Sequence, residues 1–446
     1  MDVMGRTDNS QGAAWHWVAA TLFTALCVAI AYTPGQGDFY ILAALYVPAF
    51  LLYIYIYQRV DSSRSFRFFL LVGALARLLL VPAMPQLSDD VYRFIWDGRL
   101  VVQGINPFAH PPVHYLLAAA RPEGLSPDLY AKLNSPEYFT IYPPVAQGTF
   151  ALACWLFPKN IWGATIVMKT VLLGFELGAL WVFPRLLRRL GLPEKQALLY
   201  ALNPLVLSEV MGNLHFEGAM VFFLLLALLA LAAGRWRASA LALALAVASK
   251  LLPLMFFPFL IRRLGWRRSI AYFSIVGAVL ALLFAPLFGE AFLSGFSDSL
   301  GLYFRRFEFN ASVYYLLRWL GFRLTGFNLI AYLGPALALA ALLGIAGLAL
   351  WEKGRDWKSL PPVMLLAICL YLGISTTVHP WYASLPIALA ALSRYRFPIL
   401  WSGLIWLTYI NYSYTEYREN LYAVALEYLL VYSAAAWEVK RSRREC

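Results

Sequence analysis

"RFFLLVGALARLLLVPAMPQLSDDVYRFIWDGRLVVQGINPF", residues 67–108, decides the fold. Its first part, 67–84, is an apolar run of membrane-crossing length. A hydrocarbon core of about 30 Å takes roughly 20 such residues as a helix. Then the chain turns abruptly to charge, with Asp89 and Asp90 side by side and Arg93, Asp97 and Arg99 close behind. Apolar runs of this kind recur along all 446 residues, of which 61% are hydrophobic and 13% charged. A soluble protein carries roughly a quarter charged residues. A β-barrel would alternate apolar and polar residues in short strands, and that alternation is absent. The pattern predicts an all-α polytopic membrane protein, with 1–446 as a single integral membrane domain.

The net charge of +12 would suggest nucleic acid in a soluble protein. Here Lys and Arg fall in short clusters between apolar runs, as inside loops do under the positive-inside rule. Cys27, Cys154, Cys369 and Cys446 show neither zinc-ligand spacing nor a disulfide framework. The N-terminal "MDVMGRTDNSQGAAWHW" lacks a basic start and a cleavage site, so the first apolar run reads as a retained helix.

Loop charges orient the chain. Arg59, Arg64 and Arg67 place the loop between spans 39–57 and 67–84 inside, and the N-terminus with it. After the N-terminal helices of 1–85, residues 86–160 emerge as one long external loop. Its apolar "YPPVAQGTFALACWLFPKN" reads as re-entrant or interfacial. Loops this long are uncommon and usually functional. The remaining helices occupy 161–446, with spans at 161–183, 196–212, 218–234, 270–288, 327–351, 360–378, 381–392, 398–411 and 421–437. A second external loop falls near 289–326. "ASALALALAVASKLLPLMFFPFLIRRLGWRR" is basic at both flanks and too short to cross twice at about 1.5 Å per residue. It reads as a broken, re-entrant hairpin with Lys250 at its tip; a single crossing against the charge rule is the alternative. The sum is about 12 crossings plus the hairpin, with both termini cytoplasmic.

The polar segments "GINPF", "YPP", "GNLHFEG", "RRFEFNASVYY" and "TVHPWY" share the external side with Asp89 and Asp90. The bland reading of the acidic pair is a solvated helix end. Tyr92, Phe94, Ile95 and Trp96 place it at the lipid–water boundary instead, where partial desolvation raises carboxylate basicity. That suits a general base for a hydroxyl. Asp97 reads as structural, paired with Arg93 or Arg99. Lys169 and Glu176 lie seven residues apart on one helix face and should meet a polar cavity or each other. Lys250, Arg305 and Arg306 are candidates for a phosphate. Arg93, His215, Glu217, Asn310, His379 and Tyr382 are candidates for other substrate contacts. HExxH, GxSxG and Walker motifs are absent from the sequence, so nucleotide chemistry has no support. A membrane-borne donor is expected, with no cofactor and no metal ligands.

The order "SDDVYRFIWDG", "GINPF", "IYPP", "NPLVL…GN", "KLLP", "FNASVYYLL" and "HPWY", over residues 86–390, resembles the polyprenyl-phosphate-sugar-dependent glycosyltransferases of the GT-C superfamily. It is most like the bacterial mannosyltransferases of glycosyltransferase family 87 type, and is similar to the eukaryotic GPI mannosyltransferase I. The resemblance implies a GT-C-like bundle and inverting transfer, most simply of mannose, from a polyprenyl-phosphate sugar to a glycan or lipid acceptor. The active site would lie on the external face of a bacterial inner membrane. It implies that Asp89 stands at the first acid of the family's Asp-x-Asp pattern. The second acid is displaced to Asp90, which weakens any metal role. Lys250 stands in the family's Lys-x-x-Pro element. Two other readings compete. A flippase of lipid-linked sugars would show paired broken helices in matching positions, and the sequence offers one, at Lys250. An O-antigen ligase or polymerase would carry its long loop late in the chain, and here it comes early.

Overall fold

A computed structural model describes residues 7–117, 121–288, 301 and 305–444. Its regular structure is helical, apart from one isolated parallel bridge between Phe309 and Thr377. Helices α1 (Thr7–Tyr32), α2 (Phe39–Arg59) and α3 (Ser63–Leu79) come first. A reciprocal capping box between Ser62 and Ser65 starts α3.

The segment 86–160 is more ordered than a loop. It holds α4 (Asp90–Val102) and α5 (Pro144–Leu156), which pack closely on each other. Gly98 permits the approach, because a Cβ there would sit 2.5 Å from the Phe150 carbonyl oxygen. Phe94 and Phe150 stack at 4.5 Å between the two helices. The apolar stretch expected to be re-entrant is α5 itself, begun by Pro144, whose missing N–H costs nothing in a first turn.

Helix α6 (Ile161–Leu190) is capped by Asn160 and stopped by Gly191 in the left-handed region. The span expected at 196–212 is broken into short helices. Pro204 lacks an N–H and drives the preceding Asn203 to an extended backbone. A π-helical turn, Leu207–Gly212, then meets α7 (Glu217–Ala232) at a bend of 114°. Helix α8 (Trp236–Ser249) ends where Lys250 turns fully extended. There are thus two breaks in adjacent elements, at 213–216 and at Lys250, where the sequence suggested one. Helices α9 (Trp266–Phe284), α10 (Ile330–Trp351), α11 (Leu360–Ile374) and α12 (Leu421–Arg444) complete the bundle.

Among the described residues, five helices are long and apolar enough to cross a membrane, and the bent pair makes a sixth. The other expected spans are shorter or interrupted. Leu342, Leu343, Leu350 and Trp351 of α10 are exposed, as lipid-facing side chains are. The basic loops meet one another: Lys195 donates to the Val60 carbonyl at 2.8 Å, Arg263 pairs with Glu352, and the Arg396 N–H donates to Glu438 at 2.8 Å.

Charges inside the bundle differ from expectation. Lys169 and Glu176 do not pair, because seven residues along a helix separate them by about 10 Å. Lys169 donates instead to the carbonyls of Leu80, Ala83 and Gly212, the loose ends of α3 and of the π turn. Glu176 accepts from Arg77 at 2.7 Å and from Tyr200 at 2.7 Å, and all three side chains are buried.

Candidate active site

The acidic pair splits at the start of α4. Asp89 is the N-cap residue, and its carboxylate makes no hydrogen bond or ion pair among the described residues. Its side chain is exposed, yet partial desolvation, and then the adjacent charge of Asp90, raise its pKa above that of an ordinary aspartate. Asp90 is held by donors. Asn134 Nδ2 reaches one oxygen at 2.9 Å and the Tyr142 hydroxyl reaches the other at 3.1 Å.

Across from Asp90 lies His215, whose Nε2 stands 3.9 Å from Asp90 Oδ2. The imidazole is fixed from behind, where Nδ1 donates to the Glu209 carbonyl at 2.9 Å. That leaves Nε2 as a buried acceptor with no hydrogen-bond partner. The preceding Leu214 holds a φ of +63°, a region costly for a branched apolar residue. The bent turn pays that cost to aim His215. Glu209 is pinned in turn by Tyr409 at 2.7 Å.

His215 stacks on Trp381 at 3.8 Å, Trp381 on His379 at 4.4 Å, and His379 on Phe309 at 4.6 Å. This column of four rings joins the bend before α7 to the segment that carries Phe309. Burial, followed by the Lys250 charge, pushes His379 down to about 3. Its ring is therefore neutral near pH 7 and acts as an aromatic surface. Lys250 sits over the Tyr382 ring, 4.5 Å from its centroid, and pairs with Glu217. Glu217 is buried while Lys250 stays partly open. The extended backbone at Lys250 and the bend before Glu217 together bring this cation and carboxylate into contact.

Asp90, His215, Glu217, Lys250, His379 and Tyr382 thus converge, with Asp89 beside them. Four other candidates are placed elsewhere. Arg93 is buried in an ion pair with Asp97 at 2.9 Å and donates to the Tyr138 carbonyl at 2.8 Å. It therefore ties α4 to the segment that follows, and Asp97 completes its shell with Thr140 and Gln147. Asn310 is buried with its amide on Glu427 and its N–H on Glu419. Arg305 and Arg306 are exposed, and Arg306 lines a separate cavity that does not include Lys250. Sequence reasoning passed over Tyr142, Glu209 and Trp381. Two of them lie in the quoted segments "IYPP" and "HPWY", where an aromatic residue looks the same as any apolar helix neighbour.

A family model described as "Alpha-(1->6)-mannopyranosyltransferase, N-terminal domain" matches residues 9–265. The match takes in Asp89, Asp90, His215, Glu217 and Lys250. The chain is 26% identical to alpha-(1->6)-mannopyranosyltransferase A of Mycobacterium tuberculosis over 343 residues, covering 71% of this chain and 63% of that one. It is 27% identical to alpha-(1->6)-mannopyranosyltransferase B of Corynebacterium glutamicum over 145 residues, covering 32% and 23%. It spans less than two thirds of the length of either relative. The expected kinship with bacterial mannosyltransferases is met, while the likeness to GPI mannosyltransferase I rests on the motifs alone. By the match over more than half its length, the chain belongs to the MptA_B family of alpha-(1->6)-mannopyranosyltransferase N-terminal domains.

Proposed function

We propose that the protein transfers a mannosyl unit from polyprenyl-phosphate mannose to an acceptor hydroxyl at the external face of a bacterial inner membrane. The names of the relatives point to an α-(1→6) linkage, so the acceptor group is the primary, C6 hydroxyl of a hexose. Inversion that ends in an α linkage requires a β-linked donor.

Asp89 takes the proton of the acceptor O–H. The oxygen attacks the anomeric carbon, and the bond from that carbon to the phosphate oxygen breaks. Its electron pair leaves on the polyprenyl phosphate. Lys250 lies where that developing charge needs a cation, and Glu217 holds the ammonium until the phosphate arrives. Asp90 and the free His215 Nε2 receive hydroxyl hydrogens and orient a sugar between them. Tyr382, with the column of His379 and Trp381, supplies a flat apolar wall.

The observation that supports this reading best is the convergence of Asp90, Glu217 and Lys250 about a buried His215, with the unengaged acid Asp89 adjacent to Asp90 in the chain. The test is Asp89→Asn in membranes supplied with radiolabelled polyprenyl-phosphate mannose. Loss of a general base costs about 10²- to 10⁴-fold in rate. Undiminished transfer by that variant sinks the assignment.

A further inference from the structure

The segment that carries Phe309 onto His379 has a second face. Residues 307–309 run beside 376–378, with Phe309 N–H donating to the Thr376 carbonyl and Val378 N–H donating back to the Phe309 carbonyl. Side chains alternate along such a segment. Phe307 and Phe309 meet His379 on one face. Arg306 and Glu308 turn the other way, into an open cavity of about 420 Å³ lined also by Arg318, Tyr417, Glu419 and Leu421. One thin strip of chain therefore separates the candidate active site from a second chamber.

The chamber is polar yet balanced, since two arginines face two glutamates. Glu308 is held by Arg318 and Asn328. Glu419 is held by the Tyr315 hydroxyl and by the Asn310 N–H at 2.9 Å. Both carboxylates are thus oriented from behind and keep lone pairs for a ligand. Tyr417 adds an aromatic face. Planar polar groups with fixed directions, an aromatic wall and no net charge suit a neutral polyol better than an anion. The chamber also leads toward the acid. Tyr417 packs on Tyr412 at 5.3 Å, and Tyr412 feels the charges of Asp90, Asp89 and Glu419 together.

We infer that this chamber is the subsite for a neutral acceptor glycan, holding its sugar units while the terminal hydroxyl reaches Asp89 past Tyr412. The inference rests on the glycosyl-transfer reading above. It adds a place and a ligand class for the acceptor. Arg306 and Tyr417 donate to, and stack on, an inner sugar, and they take no part in the chemical step.

The experiment uses the full chain in detergent or nanodiscs, with a neutral mannose trisaccharide as probe and saturation-transfer NMR as readout. Binding is compared for the wild type, Arg306→Ala, Tyr417→Ala and the Asp89→Asn variant. Both chamber residues are exposed, so their replacement leaves the fold intact; Tyr417→Phe checks this independently by keeping the ring. The expected result is weakening of roughly tenfold or more in the two alanine variants, with the acceptor KM raised and the donor KM unchanged. Trisaccharide binding should persist in Asp89→Asn. Equal binding in the wild type and both alanine variants overturns the inference, as does a parallel rise in donor KM. Undiminished transfer by Asp89→Asn would overturn the base assignment while leaving the chamber's binding result standing.

Discussion

Two charged regions of this molecule are built from the same residue types and treat them in opposite ways. Within the bundle, Arg77, Glu176 and Lys169 are fully buried, and each is engaged by several groups. At the end of the bundle, Asp89 and His215 Nε2 have no partner among the described residues, and Lys250 has one carboxylate and one ring. Burial without partners is costly, and in the inner cluster only Arg77 Nη2 goes without a partner among the described residues. The outer cluster is partly open, and its unmet valences are available to a substrate. Charge in a membrane protein therefore divides by satisfaction, which matters more than depth.

The largest effect that could break this comparison is at Arg77. Arg77→Ala leaves Glu176 buried without its cation and should destabilise the protein by about 3–5 kcal/mol. Denaturation in detergent measures it. A change under about 1 kcal/mol would mean that the inner cluster is not structural. Lys250→Ala should behave differently. Loss of a charged contact to phosphate, worth roughly 1.5–3 kcal/mol, should raise the donor KM about ten- to a hundredfold, with little loss of stability because Lys250 is partly open. Equal loss of stability in the two variants would erase the distinction.

The smallest effect sharpens the roles of the paired acids. Asp89 must be ionised to act as base, and its pKa is raised by partial desolvation first and by Asp90 second. Transfer should therefore fall on acidification at a higher pH than an exposed aspartate would give. Asp90→Asn removes the second cause and should move that acid limb of kcat/KM to lower pH. A limb that stays in place assigns the titration to another group.

The sequence made some of this legible. The Arg93–Asp97 pair sits four residues apart on α4, a spacing that local rules identify. The break at Lys250 was announced by basic flanks and Pro253. The bend at 213–216 was not, because its left-handed residue is Leu214, where Gly or Asn would have given it away. The partners of Lys169 and Glu176 were hidden for a different reason. They come from carbonyls and side chains of α3 and the segment after α6, and no spacing along one helix encodes them. The sequence already sets Asp97 apart as structural, and the fold adds how: Thr140 and Gln147 close around it, while Asp89 has no such partner among the described residues.

The bonds at the seam of the chain carry one more consequence. Tyr409 reaches Glu209 at 2.7 Å, Asn203 reaches Ser402 at 2.9 Å, and Trp381 stacks on His215 at 3.8 Å. Every such link joins the part matched by the family model to the part beyond it. The two portions therefore form a shared site across a wide internal interface, as two subunits would. A cut in the 352–358 loop leaves the two ends of each of these links on different polypeptides, and the two fragments should find each other in the bilayer and rebuild that site without a covalent connection.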